Sequence, residues 1–174
     1  MTEDALAALP ARVREAAGRR WPDAEVGPLA QLPGGISSLT YATTLRPADA
    51  TGEPDRRVVV KVAPPGLEPV RNRDVLRQAR VMAALGRAPG VSVPEVLVTD
   101  DGSPPFFVMA FVPGEAYEPK WDVSDAPPAP TMVRARAHAA ARMLARLQAV
   151  PPAAVGIEDR ALTLSEEIDR KSVV

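Results

Sequence analysis

Arg57-Val58-Val59-Val60-Lys61-Val62-Ala63 is the stretch on which the reading of this chain turns. A β-branched run of this length, stopped by Pro64-Pro65, predicts a strand. Alternate residues of a strand share a face, so Val59 and Ala63 lie on the same side as Lys61. Lys61 is also the only lysine in the first 119 residues. Two readings stay open for it: a solvated lysine on an edge strand, or a cation held for an anionic ligand. The elements around the strand bear on the choice.

Upstream, residues 26–46 hold two strand-like runs flanking the turn Pro33-Gly34-Gly35-Ile36. The second run is rich in Thr and alternates Leu39, Tyr41 and Leu45, which predicts a hairpin with a glycine-rich tip. Residues 10–20, opened by Pro10, read as a short surface helix with a structural role. Downstream, residues 72–86 carry Val75, Gln78, Met82 and Leu85 at steps of three, four and three, with Gly86 as a stop. That spacing predicts an amphipathic helix with one polar residue on its apolar line. Val93 to Thr99 and Pro105 to Val112, parted by Asp100-Asp101-Gly102, read as an antiparallel pair. A proline-rich connection over 113–130 leads to a helix over 131–149, where Val133, Ala137, Ala140, Leu144 and Leu147 keep helical spacing. Residues 162–170 read as a further helix. The order ββ, β, α, ββ followed by helices is that of an α+β fold.

Bulk properties narrow the chemistry. The 174 residues are 46% hydrophobic and 25% charged with a formal net charge of -1, a globular composition. Basic and acidic residues number 13 and 10 in residues 1–87 and 8 and 12 in residues 88–174, too mild an asymmetry for a nucleic-acid partner. No apolar run nears 18 residues and the N-terminus reads Met-Thr-Glu-Asp, so a cytoplasmic chain without membrane contact is expected. With no cysteine and one histidine, a disulfide framework, a thiolate site and a histidine zinc cluster are excluded. A metal would arrive with a nucleotide.

A glycine-rich hairpin, a strand-borne lysine and a helix, in that order, is what a kinase uses to hold ATP. Gly34 and Gly35, followed by Ser37 and Ser38, would let backbone N–H groups approach phosphates, and Lys61 would supply a point charge. Val59, on the face of the lysine, would lie beside the adenine. Gln78 stands on the inner line of its helix, where the kinase pattern puts a glutamate that pairs with the strand lysine. The plain readings beside these are an ordinary Gly-Gly turn and a partly buried polar residue at the core edge. His138 reads as a packed or half-exposed surface residue.

These segments resemble the aminoglycoside phosphotransferase-like kinases. The resemblance is carried by Leu-Pro-Gly-Gly-Ile-Ser-Ser-Leu-Thr-Tyr (32–41), Val-Val-Val-Lys-Val (58–62), Val-Leu-Arg-Gln-Ala-Arg-Val-Met-Ala-Ala-Leu (75–85) and Val-Ser-Val-Pro-Glu-Val-Leu (91–97). It continues through Pro-Phe-Phe-Val-Met-Ala-Phe-Val-Pro-Gly-Glu (105–115), Ala-Arg-Met-Leu-Ala-Arg-Leu-Gln-Ala-Val (141–150) and Ala-Ala-Val-Gly-Ile-Glu-Asp (153–159). It implies a kinase-like N-lobe over residues 1–112, an antiparallel sheet of about five strands with one packed helix. Residues 113–174 would then be a hinge linker and the start of a helical C-lobe. It further implies that Lys61 binds nucleotide phosphates under the 34–38 turn. Met109 would back the adenine pocket, and the backbone of Ala110 and Val112 would bond the adenine edge; Phe-Phe-Val-Met reads equally as core strand.

The sequence departs from the family pattern at Gln78, where many members have Glu, and at Gln148, where Leu-His is usual. Asp74, one turn before Gln78, is a substitute partner for the lysine. The family's catalytic loop resembles His-Gly-Asp followed five residues later by Asn, with a further Asp that holds magnesium. Here the only histidine precedes alanine and the only asparagine is Asn72. The expectation is therefore the ATP-binding portion of a small-molecule phosphotransferase, with Mg2+ and the acceptor engaged only when the rest of the larger lobe is supplied. A non-catalytic nucleotide- or protein-binding module, self-associating through the apolar face of the 131–149 helix, and an inert fragment of a disrupted kinase gene are the alternatives.

Overall fold

The valine run forms β4 (Arg56–Val62). A strand apolar on both faces belongs at the centre of a covered sheet, and β4 lies there, antiparallel to β3 (Leu39–Arg46) on one side and β6 (Phe106–Ala110) on the other. The computed structural model describes residues 6–33, 37–48, 54–114, 128–157 and 163–166. One edge is β5 (Val96–Asp100), which pairs with β6 across a register shift between Val96 and Val98. At the other edge β1 (Glu25–Val26) and β2 (Ala30–Gln31) pair with successive stretches of β3. Six strands thus make an antiparallel sheet five strands wide, with the α+β, kinase-like organisation expected from the sequence.

Each face of this sheet carries one helix. Val58, Val60 and Val62 of β4 join Leu45, Phe106 and Val108 beneath α1 (Leu9–Gly18). Residues 10–20 read from sequence as a surface helix, but Leu9, Val13, Ala16 and Ala17 are each at most 1% exposed. Half of that buried stripe is alanine, so its hydropathy is low although its packing is complete. Three arginines then fasten α1 to the far edge of the sheet. Arg12 pairs with Asp100, donates from Nη1 to the Pro104 carbonyl at 2.9 Å and lies 5.1 Å over the Phe106 ring. Arg20 Nη1 donates to the Leu97 carbonyl at 2.8 Å and its Nη2 meets Glu95 Oε1 at 3.1 Å. Arg19 Nη2 reaches the Thr99 carbonyl and Asp100 Oδ2, each at 3.5 Å.

The opposite face is covered by α2 (Val75–Leu85), whose first turn is capped by Asp74: its Oδ1 accepts from the Arg77 N–H at 2.9 Å. Buried against Ala63 and Phe107 are Val75 and Ala79, with Leu76 and Met82 partly buried beside them. The helix is rotated from the expected line through Gln78, because small Ala79 lets it approach the buried Phe107 ring.

Beyond the sheet, α3 (Pro130–Gln148) has no buried residue, and Met132, Leu144 and Leu147 are 47%, 53% and 38% exposed. A 3-10 turn over Pro152–Val155 follows, ending at Gly156 with φ of 75°. Thr163 Oγ1 accepts from the Glu166 N–H while Glu166 Oε2 accepts from the Thr163 N–H, a capping box that marks a helix start. The rest of the helix expected over 162–170 lies outside the described residues.

Candidate functional site

Alternation along β4 sends Val59 and Lys61 to the face that α2 covers, opposite to Val58, Val60 and Val62. Strand register then decides their neighbours. Lys61 stands between Thr40 of β3 and Phe107 of β6, and Val59 between Ala42 and Met109. Ala42 and Val59 are each 7% exposed and Phe107 is fully buried, while Thr40, Lys61 and Met109 are half-buried. The result is a small apolar floor with a single cation at one end.

Burial holds the Lys61 ammonium below its ordinary value of 10.5. Among the described residues it has neither a hydrogen bond nor an ion pair. A partly desolvated cation with no carboxylate in contact is stabilised by any anion brought to it. The two groups that the sequence offers on α2 are engaged elsewhere. Asp74 caps its own helix, and Gln78 Nε2 donates to the Asn72 carbonyl at 2.6 Å.

The ends of the floor differ. Beside Lys61, Ser37 and Ser38 lead into the start of β3; Ser38 is 6% exposed and Ser37 half-buried. Gly34 and Gly35 lie outside the described residues. At the other end Ala110 pairs with Val58, and its N–H donates to the Glu95 carbonyl at 2.8 Å. The Phe111 N–H donates to the Arg57 carbonyl at 3.2 Å, and the Arg57 guanidinium lies 4.0 Å over the Phe111 ring. Val112 is 62% exposed, and its N–H has no partner among the described residues. Three residues of strand separate the levels of Ala110 and Lys61, a rise of about 10 Å. That span is of the order that separates a purine from the terminal phosphates of its nucleotide.

Sequence reasoning missed Thr40 and Ala42. The alternation that groups Leu39, Tyr41 and Leu45 already puts both on the other side of β3, but only the register shows that this side is the lysine's. Among the described residues no group of three His, Asp or Glu side chains could hold a metal ion, and no helix is long and apolar enough to cross a membrane.

A family model described as the phosphotransferase enzyme family matches residues 28–171, a span that begins after α1 and β1 and takes in the lysine strand, α2 and α3. No curated protein and no solved structure matches the chain.

Proposed function

The chain belongs to the phosphotransferase enzyme family, and from that premise we propose that the α2-covered face of its sheet is the nucleotide-binding portion of an ATP-dependent phosphotransferase acting on a small-molecule hydroxyl. The observation that carries this reading is Lys61, a partly desolvated cation with no counter-charge among the described residues, at one end of an apolar floor. When bound, ATP supplies the phosphoryl group that is transferred. Val59, Ala42 and Met109 hold the purine by apolar contact, and the Ala110 carbonyl and Val112 N–H orient its edge. Lys61 binds the phosphates as a point charge, with Ser37 and Ser38 beside them. Gln78, a neutral amide bonded to Asn72, leaves the full charge of Lys61 to the phosphates.

Transfer itself forms a P–O bond to the acceptor oxygen as the bond to the β-phosphate oxygen breaks, and the acceptor's proton passes to a base. We assign neither that base nor the magnesium ligands to a residue of this sequence, whose only histidine is followed by alanine and whose only asparagine is Asn72. On this reading the residues named here bind and orient the nucleotide. Calorimetric titration with ATP, with and without magnesium, beside a Lys61→Ala variant tests this. Saturable binding that weakens tenfold or more in the variant is expected, since one charge-assisted contact is worth about 1.5–3 kcal/mol. Absence of binding at millimolar ATP overturns the reading.

A second reading rests on α3, a 19-residue helix with no buried residue and three large apolar side chains in solvent. Exposed apolar faces of this kind mark association surfaces. On that reading the chain is a non-catalytic module that self-associates through α3, and its sedimentation would depend on concentration whether or not ATP is present.

A further inference from the structure

Away from Lys61, the loop that ends α2 meets the C-terminal end of α3. Between them lies a cleft of about 550 Å3, within the size range of small-ligand sites. Its walls include Ala88, Pro89, Val150, Pro151, Ala154 and Val155, with Ala88 buried at the base. Arg87 and Arg146 complete the lining, and among the described residues no carboxylate side chain lines it.

The two arginines are lightly engaged. The Arg87 side chain makes no hydrogen bond, ion pair or ring contact among the described residues. Arg146 makes one long bond there, from Nη1 to the Gly90 carbonyl at 3.5 Å. Gly90, at φ of 77°, brings its backbone under the Arg146 stem, where an added Cβ would lie 3.6 Å from Cδ. Arg12, Arg19, Arg20 and Arg46, by contrast, each meet a carboxylate. The end of α3 contributes about half a negative charge to this corner, which two full positive charges outweigh.

We propose that this cleft binds a small organic anion whose apolar body lies against Pro89, Val150 and Val155 and whose carboxylate or phosphate head is held between Arg87 and Arg146. Guanidinium groups bind either head in paired, charge-assisted hydrogen bonds. The bound molecule bridges the loop after α2 to α3 and lies apart from the Lys61 face. The inference stands on the cleft alone and needs no nucleotide.

The test is calorimetric titration of the full chain with octanoate, octyl phosphate and 1-octanol, which share an apolar body and differ in the head. Saturable binding of an anionic probe is expected, weakened about tenfold by Arg87→Gln or Arg146→Gln, lost when Ala154→Trp fills the crevice, and unchanged by Lys61→Ala. Tighter binding of octyl phosphate assigns a phosphate head, and tighter binding of octanoate a carboxylate. The proposal is overturned if neither anion saturates at millimolar concentration, if octanol binds as tightly as both, if the arginine variants bind like the parent chain, or if Lys61→Ala abolishes the signal.

Discussion

Lys61 and Asp100 are both partly buried, and the fold lowers both pKa values, so each makes stability rise with pH through its own window. Desolvation lowers the Lys61 pKa in the fold, so between that lowered value and 10.5 the unfolded chain binds more protons than the native one. The ligand-free chain therefore gains stability as pH rises through that window. Denaturant titrations between pH 7 and 10.5 should show this gain in the parent and its absence in Lys61→Met. For Asp100, burial alone would raise the carboxyl, but the hydrogen bonds from Arg12 and the Gly102 N–H, the charge of Arg12 and the bond from Arg19 hold it below its ordinary value. Its contribution is present above pH 3.8 and is lost as pH falls through the lower native value. Asp100→Asn should cost about 2 kcal/mol at pH 7, the size of a hydrogen bond to a charged group. In denaturant titrations the gap between parent and variant should shrink as pH falls below 3.8. Lys61 was legible in the sequence because a lone cation interrupts an apolar strand. Asp100 read only as a turn residue, since its partner Arg12 stands 88 positions away and no local pattern joins them.

Among the elements, α2 and α1 were legible to different degrees. For α2 the helical period and the stop at Gly86 located the element, while its rotation escaped: hydropathy favours Leu85 over Ala79, but contact with Phe107 favours the smaller side chain. For α1, proline at the start gave the helix, and its alanines concealed the buried face. Leu9 is 1% exposed on that face and packs with the valines of β4. Leu9→Ala should therefore destabilise the chain by about 3 kcal/mol, in the range for a truncated core leucine, and lower its melting temperature by several degrees. A loss below 0.5 kcal/mol, the range of ordinary surface substitutions, would restore the surface-helix reading.

For the molecule as a whole, the order of strands and helices was written in the sequence, and so was the five-strand sheet. The β5–β6 pair was read from its turn, whereas the pairing of β6 with β4 needed the structure, because antiparallel neighbours far apart in sequence leave no periodic signal. The surroundings of α3 escape the sequence for another reason: its apolar stripe implies a cover that the described residues do not provide. If that stripe drives association, Leu144→Glu with Leu147→Glu should yield a concentration-independent monomer in sedimentation. Melting should change little, since both side chains already meet solvent. One consequence of the arginine fastening concerns the order of assembly. Arg12, Arg19 and Arg20 precede the groups they bind by 75 to 92 positions. During synthesis α1 emerges long before the strand it seals, and closing so long a loop slows folding. Until residues 95–104 have been added, α1 has no edge to guard. A growing chain stalled before that point therefore offers open strand edges to its neighbours, as partly folded chains do when they aggregate.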